Sequence, residues 1–159
     1  MRLSFRAVWV LSGLLVAMTM ACAEQPPAGL PVKGAVHAGG PQSLYERLGG
    51  KPAITAVVDQ FVSNVAADER INGRFAAVDI PRLKGHLVDQ VCSATGGPCT
   101  YRGRNMKTTH EGMRISTNDF SALVEDLAAA LDKFNVPAQE KKELLALLGP
   151  MKKEIVEGP

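Results

Sequence analysis

The sequence predicts an all-α domain, and three observations carry that prediction. From residue 43 to residue 157 apolar side chains recur at intervals of three and four. The segments so formed are bounded by helix-starting serine, aspartate and proline and by paired glycines, and no stretch alternates apolar and polar residues as a strand does. The segments are too uneven in length for a symmetrical four-helix bundle, and there is no internal repeat.

The chain has 159 residues, enough for one compact domain, but its first part does not belong to that domain. MRLSFR carries Arg2 and Arg6, an apolar run AVWVLSGLLVAMTM follows, and Ala21-Cys22-Ala23 offers small residues for cleavage. Residues 1–23 read as a secretory signal peptide, placing the mature protein in the periplasm. Two alternatives stay open: a retained N-terminal anchor, and lipidation of Cys22 as the first residue of a lipoprotein, which Thr19-Met20 fits poorly.

Removing residues 1–23 takes away two cations and no acid, leaving 16 basic against 16 acidic side chains. A formally neutral chain without a lysine or arginine block gives no argument for nucleic acid or an anionic membrane surface as partner. Residues 24–42, EQPPAGLPVKGAVHAGGPQ, are rich in proline and glycine and read as a flexible spacer; His37 within it is expected to be a solvated linker residue.

The helical signals then follow in order. Ser43-Leu44-Tyr45-Glu46 is a capping box, closed by Gly49-Gly50. A second helix is expected from Pro52, with Ile54, Val57, Val58, Phe61, Val62 and Val65 on its buried face. Asp79-Ile80-Pro81 starts a third, whose stripe of Leu83, Leu87, Val88 and Val91 runs until Gly96-Gly97. Ser116 to Asp119 caps a fourth, with Phe120, Leu123, Val124, Leu127, Leu131 and Phe134 expected inside. Pro137 opens a last one bearing Leu144, Leu145, Leu148, Met151 and Ile155, kinked or broken at Gly149-Pro150.

Two histidines of this domain call for explanation. His110, in GRNMKTTHEGMRIS, has no cysteine or carboxylate spaced to share a metal with it, and an isolated imidazole is ordinarily satisfied by a simple hydrogen bond. His86 falls on the flank of the third helix's apolar stripe, where a boundary side chain reaching solvent is the plain interpretation.

The ordered series SLYERLGG, AVVDQF, FAAVDIPRLKGH, GGP, YRGRNMKTTH, DFSALVEDLAAAL and VP resembles the group I truncated haemoglobins over essentially all of residues 43–156. Each motif is weak alone; their order and the spacing from Met106 to His110 carry the resemblance. It implies a two-on-two helical sandwich around haem, in residues 43–157, acting as a monomer. His110 matches the family's proximal histidine, the one protein ligand that haem iron needs when the porphyrin supplies four nitrogens. Phe75 matches the phenylalanine packed on the haem, and Tyr101 and Met106 match positions along its edge and proximal side. Arg82 and Lys84 fall where haem propionates could be met, although a solvated surface charge is the plainer interpretation of Lys84. With no Cys-x-x-Cys-His and no histidine in the last helix, the group is expected to be non-covalent haem b.

The distal positions depart from the family's oxygen-binding pattern. Where common members carry a tyrosine and a glutamine, this sequence has Val62 and Leu87, and the upstream distal position is Leu83. His86 matches a position that some members fill with a histidine able to bind the iron, so His110 and His86 together make bis-histidyl ligation a specific expectation.

Cys92 and Cys99 flank Ser-Ala-Thr-Gly-Gly-Pro and suit an exported protein; a bridge closing so short a loop would stabilise by about 2–3 kcal/mol. A redox-active pair is the competing interpretation, without the usual Cys-x-x-Cys spacing. For function, the resemblance implies reversible binding of dioxygen, nitric oxide or carbon monoxide, with a reductase that the sequence does not identify. The alternatives are a cytochrome-like electron carrier with both axial positions filled, nitric oxide or peroxide detoxification, and a helical adaptor that has kept the fold without haem.

Overall fold

The computed structural model describes residues 41–158. The expected signal peptide at 1–23 with Cys22, and the spacer up to residue 40 with His37, lie outside the described residues. No helix among the described residues is long and apolar enough to cross a membrane.

Helix α1 (Leu44–Arg47) begins with the expected capping box: the Ser43 backbone N–H donates to Glu46 Oε2 at 2.9 Å, and the Glu46 N–H donates to Ser43 Oγ at 3.3 Å. Gly49 and Gly50 take positive φ, 90° and 72°, which turns the chain directly into α2 (Gly50–Ala67), two residues earlier than Pro52 suggests. Helix α3 (Ile80–Ala94) starts at an Asp79 cap, whose carboxylate accepts from the Arg82 N–H. It ends just short of Gly96, where φ is 85°. Gly97 is needed for a different reason, since a Cβ there would stand 2.5 Å from Tyr45 Cδ2 and 2.7 Å from Cys92 Sγ.

Helix α4 (Met106–His110) has no apolar stripe to announce it. It is held by the Asn105 side chain, which accepts from the Thr108 N–H at 2.8 Å. Helix α5 (Thr117–Lys133) carries the Ser116–Asp119 box. Phe134 corrects the expected buried face: it is the C-cap residue, 44% exposed, because Asn135 turns the chain away at φ 52° before the stripe can continue. Helix α6 (Ala138–Leu148) and helix α7 (Lys152–Ile155) are separated by a tight turn at Gly149–Met151, where the missing N–H of Pro150 interrupts the ladder.

Helix α2 packs against both α3 and α5, and α5 packs on α6, giving two helices layered on two; α4 rests on α7. The main core joins Ile54, Val58, Phe61, Val62 and Val65 of α2 to Val88 and Cys92 of α3 and to Ala122 and Ala130 of α5. Each such large side chain contributes roughly 1.5–3 kcal/mol relative to exposure. A second cluster of Leu44, Leu131 and Leu144 ties α1, α5 and α6 together, and Arg47 reinforces it by pairing with Glu140 at 2.6 Å and with Glu143. Between α2 and α5, Asn64 Nδ2 donates to the Asp126 carbonyl at 3.0 Å, while Asp126 Oδ2 is buried with no hydrogen-bond partner.

Candidate functional site

The core does not close completely. Between α2, α3 and α4 lies a cavity of about 290 Å³. The α2 wall carries Phe61, Val62 and Val65 inside and Asp59, Ser63 and Ala66 toward solvent. Phe75, from the short turn Asn72–Phe75, and Ile80, Leu83, Lys84 and Leu87 of α3 form a second side, with Leu123 of α5 behind. His110 contributes the imidazole. The spacing 80, 83, 84, 87 is one face of a helix, so the phase that buries Val88 and Cys92 against α2 also turns these four residues to the cavity.

His110 ends α4, and its Nδ1 lies 2.8 Å from the Met106 carbonyl oxygen one turn back. A carbonyl only accepts, so Nδ1 carries the hydrogen, and in the neutral ring the Nε2 lone pair is left unshared. The loop after His110 is fixed from the other end of the chain. Glu157 accepts from the Gly112 and Arg114 N–H groups at 2.8 and 2.7 Å, and its own N–H donates to the Ile115 carbonyl at 3.0 Å. Those two backbone N–H groups, Gly112's first, hold the Glu157 carboxyl below its ordinary pKa.

Of the residues singled out in the sequence, Val62, Phe75, Leu83, Leu87 and His110 share this cavity wall, and Arg82, His86, Tyr101 and Met106 do not. Arg82 is exposed on the first turn of α3. His86 is one residue from Leu87, about 100° around the helix, and its half-buried ring stands edge-on to Tyr101 with centroids 6.2 Å apart. Tyr101 in turn donates its hydroxyl to the Arg104 carbonyl at 2.9 Å. Met106 and Met151 both bring sulfur to Gln90 Nε2, at 3.7 and 3.3 Å.

Sequence reasoning missed Asp59 and undervalued Lys84. Lys84 Nζ lies 2.9 Å from Asp59 Oδ1, joining α3 to α2 at the cavity's edge. The available signal was positional: Asp59 is three residues before Val62 and Lys84 one after Leu83, both within reach of the cavity faces.

A family model described as bacterial-like globin matches residues 43–157. The group 1 truncated hemoglobin GlbN of Mycolicibacterium paratuberculosis is 38% identical over 118 residues, covering 74% of this chain and 87% of that protein. GlbN of Synechocystis is 36% identical over 111 residues, covering 67% and 90%. Among solved structures, the Fe(III) truncated hemoglobin of Tetrahymena pyriformis superposes with a TM-score of 0.70 at 33% identity, covering 72% of this chain and 98% of that one. The 2/2 hemoglobin of Synechococcus, in a cyanomet state with covalently attached heme, gives 0.69 at 31% identity with the same coverage. The family match spans the whole helical domain, the relatives share more than a third of their residues with it and the solved structures share its fold, so this chain belongs to the bacterial-like globin family, as a group I truncated globin.

Proposed function

We propose that this globin holds haem b through His110 and takes a small diatomic gas, dioxygen, nitric oxide or carbon monoxide, in the apolar cavity beside it. The observation that carries the reading is the His110–Met106 hydrogen bond, which leaves one ring nitrogen unshared on a wall otherwise built mainly of Phe, Val, Ile and Leu. The donor set fits the group. Among the described residues no three His, Cys, Asp or Glu side chains gather as a metal site, so a bare ion has no cage, whereas a porphyrin brings four nitrogens and needs one imidazole. A cavity of about 290 Å³ lies at the lower end of ordinary ligand pockets, so the walls enclose only part of a macrocycle.

Haem held by His110 would supply an iron able to bind a diatomic gas. The chain's residues do the rest: His110 fixes the iron's position, Phe75 offers an aromatic face, and Val62, Leu83 and Leu87 exclude water without donating a hydrogen bond. The Cys92–Cys99 pair, Cα atoms 5.7 Å apart at the end of α3, is read as a structural bridge of an exported protein. The test is the optical spectrum of the purified protein, oxidised, reduced and with carbon monoxide; a chain that retains no haem, or whose His110→Ala variant retains it with an unchanged spectrum, overturns the reading.

A second reading makes His86 an internal sixth ligand and the protein an electron carrier. Its support is that His86 is a half-buried imidazole on the same helix as Leu83 and Leu87. It requires the ring to leave Tyr101. A low-spin ferrous spectrum that turns five-coordinate and high-spin in His86→Ala supports it, and a high-spin wild type removes it.

A further inference from the structure

We propose that the Asp59–Lys84 ion pair is a latch across the passage by which ligands reach the cavity from solvent; the inference rests on the haem site proposed above. A residue that lines the cavity and is also exposed marks where the cavity meets water. On α2 those residues are Asp59, Ser63 and Ala66, at helical spacing along one edge, and the facing edge of α3 presents Leu83 and Lys84. The cavity therefore opens along the seam between α2 and α3. Ser63 and Ala66 are too short to cross it. Lys84 crosses it, with Nζ 2.9 Å from Asp59 Oδ1, and its side chain is one-third exposed, so the stem lies across the opening while the ammonium is held at the rim.

Such a pair slows passage without blocking it. Asp59 is 54% exposed, and half-exposed pairs are weak, so the latch opens readily and sets a rate within a small factor. Closed, it also keeps the ammonium off the ligand-binding face, leaving that face without a donor.

The test uses haem-loaded protein in a His86→Ala background, so that no internal ligand competes. Carbon monoxide rebinding after flash photolysis gives the bimolecular rate. Nitric oxide association, in which bond formation at the iron is fast and entry limits the rate, gives a second measure of passage that depends little on iron chemistry. Asp59→Asn and Lys84→Met should each raise both rates roughly two- to fivefold, the scale of a partly exposed ion pair. The charge-swapped Asp59→Lys/Lys84→Asp double variant should return both toward the starting values. Added salt should speed the parent and leave the single variants unchanged. Unchanged rates in the single variants, or a swapped pair as fast as they are, would overturn the latch. Failure to bind haem would instead overturn the site on which it acts.

Discussion

His110 Nδ1 sits 2.8 Å from the carbonyl oxygen of Met106, within the same short helix. This bond selects the tautomer and orients the ring before any ligand arrives. In ¹⁵N-resolved NMR of the haem-free protein the neutral His110 ring should carry its hydrogen on Nδ1. A neutral form protonated at Nε2 would remove the basis for an available ring nitrogen.

On the proposed reading Val62, Leu83 and Leu87 offer bound dioxygen no hydrogen bond, and that has a measurable cost. A charge-assisted hydrogen bond to bound dioxygen is worth about 1.5–3 kcal/mol, roughly ten- to a hundredfold in residence time. In a His86→Ala background, Val62→Tyr or Leu87→Gln should slow dioxygen release by that order while hardly altering carbon monoxide release. Equal slowing of both gases would point to sterics and not to polarity.

Asp126 should make the fold less stable near neutral pH than it need be. Burial is the main cause raising its pKa, with the charge of Asp68 second, and one carboxyl oxygen has no partner. The folded state therefore binds the proton more tightly than the unfolded one. The penalty appears as pH rises from the ordinary aspartate pKa through the raised folded value, and persists above it. Asp126→Asn should add about 1 kcal/mol at pH 7, roughly 3–6 °C in Tm. The gain should fade in melts taken below the ordinary aspartate pKa, and a constant difference at every pH would refute the assignment.

Gly97 should tolerate no side chain. A Cβ would collide with Tyr45 and with Cys92, both packed, so Gly97→Ala should destabilise by about 1–3 kcal/mol. If the bridge proposed there forms on export, the protein from the periplasm should carry no alkylatable thiol at Cys92 or Cys99, whereas reduction should lower the melting temperature. Two free thiols in exported material would contradict it.

Glu157 should govern how long the cofactor stays. Its carboxylate holds two N–H groups of the loop after His110, and Glu157→Ala leaves both without that partner. Haem transfer to an acceptor globin should quicken severalfold, with little change in the melting temperature. A large stability loss with unchanged transfer would show that the contact serves the fold instead.

How legible all this was in the sequence depended on whether a residue's role was local. Caps and breaks were readable because Ser43, Asp79, Ser116 and Pro150 act within a turn of themselves. Helical phase marked Val62, Leu83 and Leu87 only as members of buried stripes, and their place on a cavity wall came from the resemblance to group I truncated haemoglobins. Helix α4 escaped because five residues are too few for a period, leaving only its Asn105 cap as a sign. Phe134 was misjudged because the stripe cannot report where Asn135 will turn the chain. Asp59 and Lys84 meet across 25 positions, and no one-dimensional pattern records a pair made by two crossing helices.

The brevity of α4 separates two quantities that are usually equated. Five residues, none fully buried, cannot sustain a helix by themselves, and this one is held at its start by Asn105 and just beyond its end by Glu157. It is thus the segment expected to open first, in a local excursion that leaves the α2–α5 core intact. If His110 carries the cofactor as proposed, the lifetime of the loaded protein depends on this short segment and not on the core, and selection or engineering could lengthen it a great deal without making the globin harder to melt.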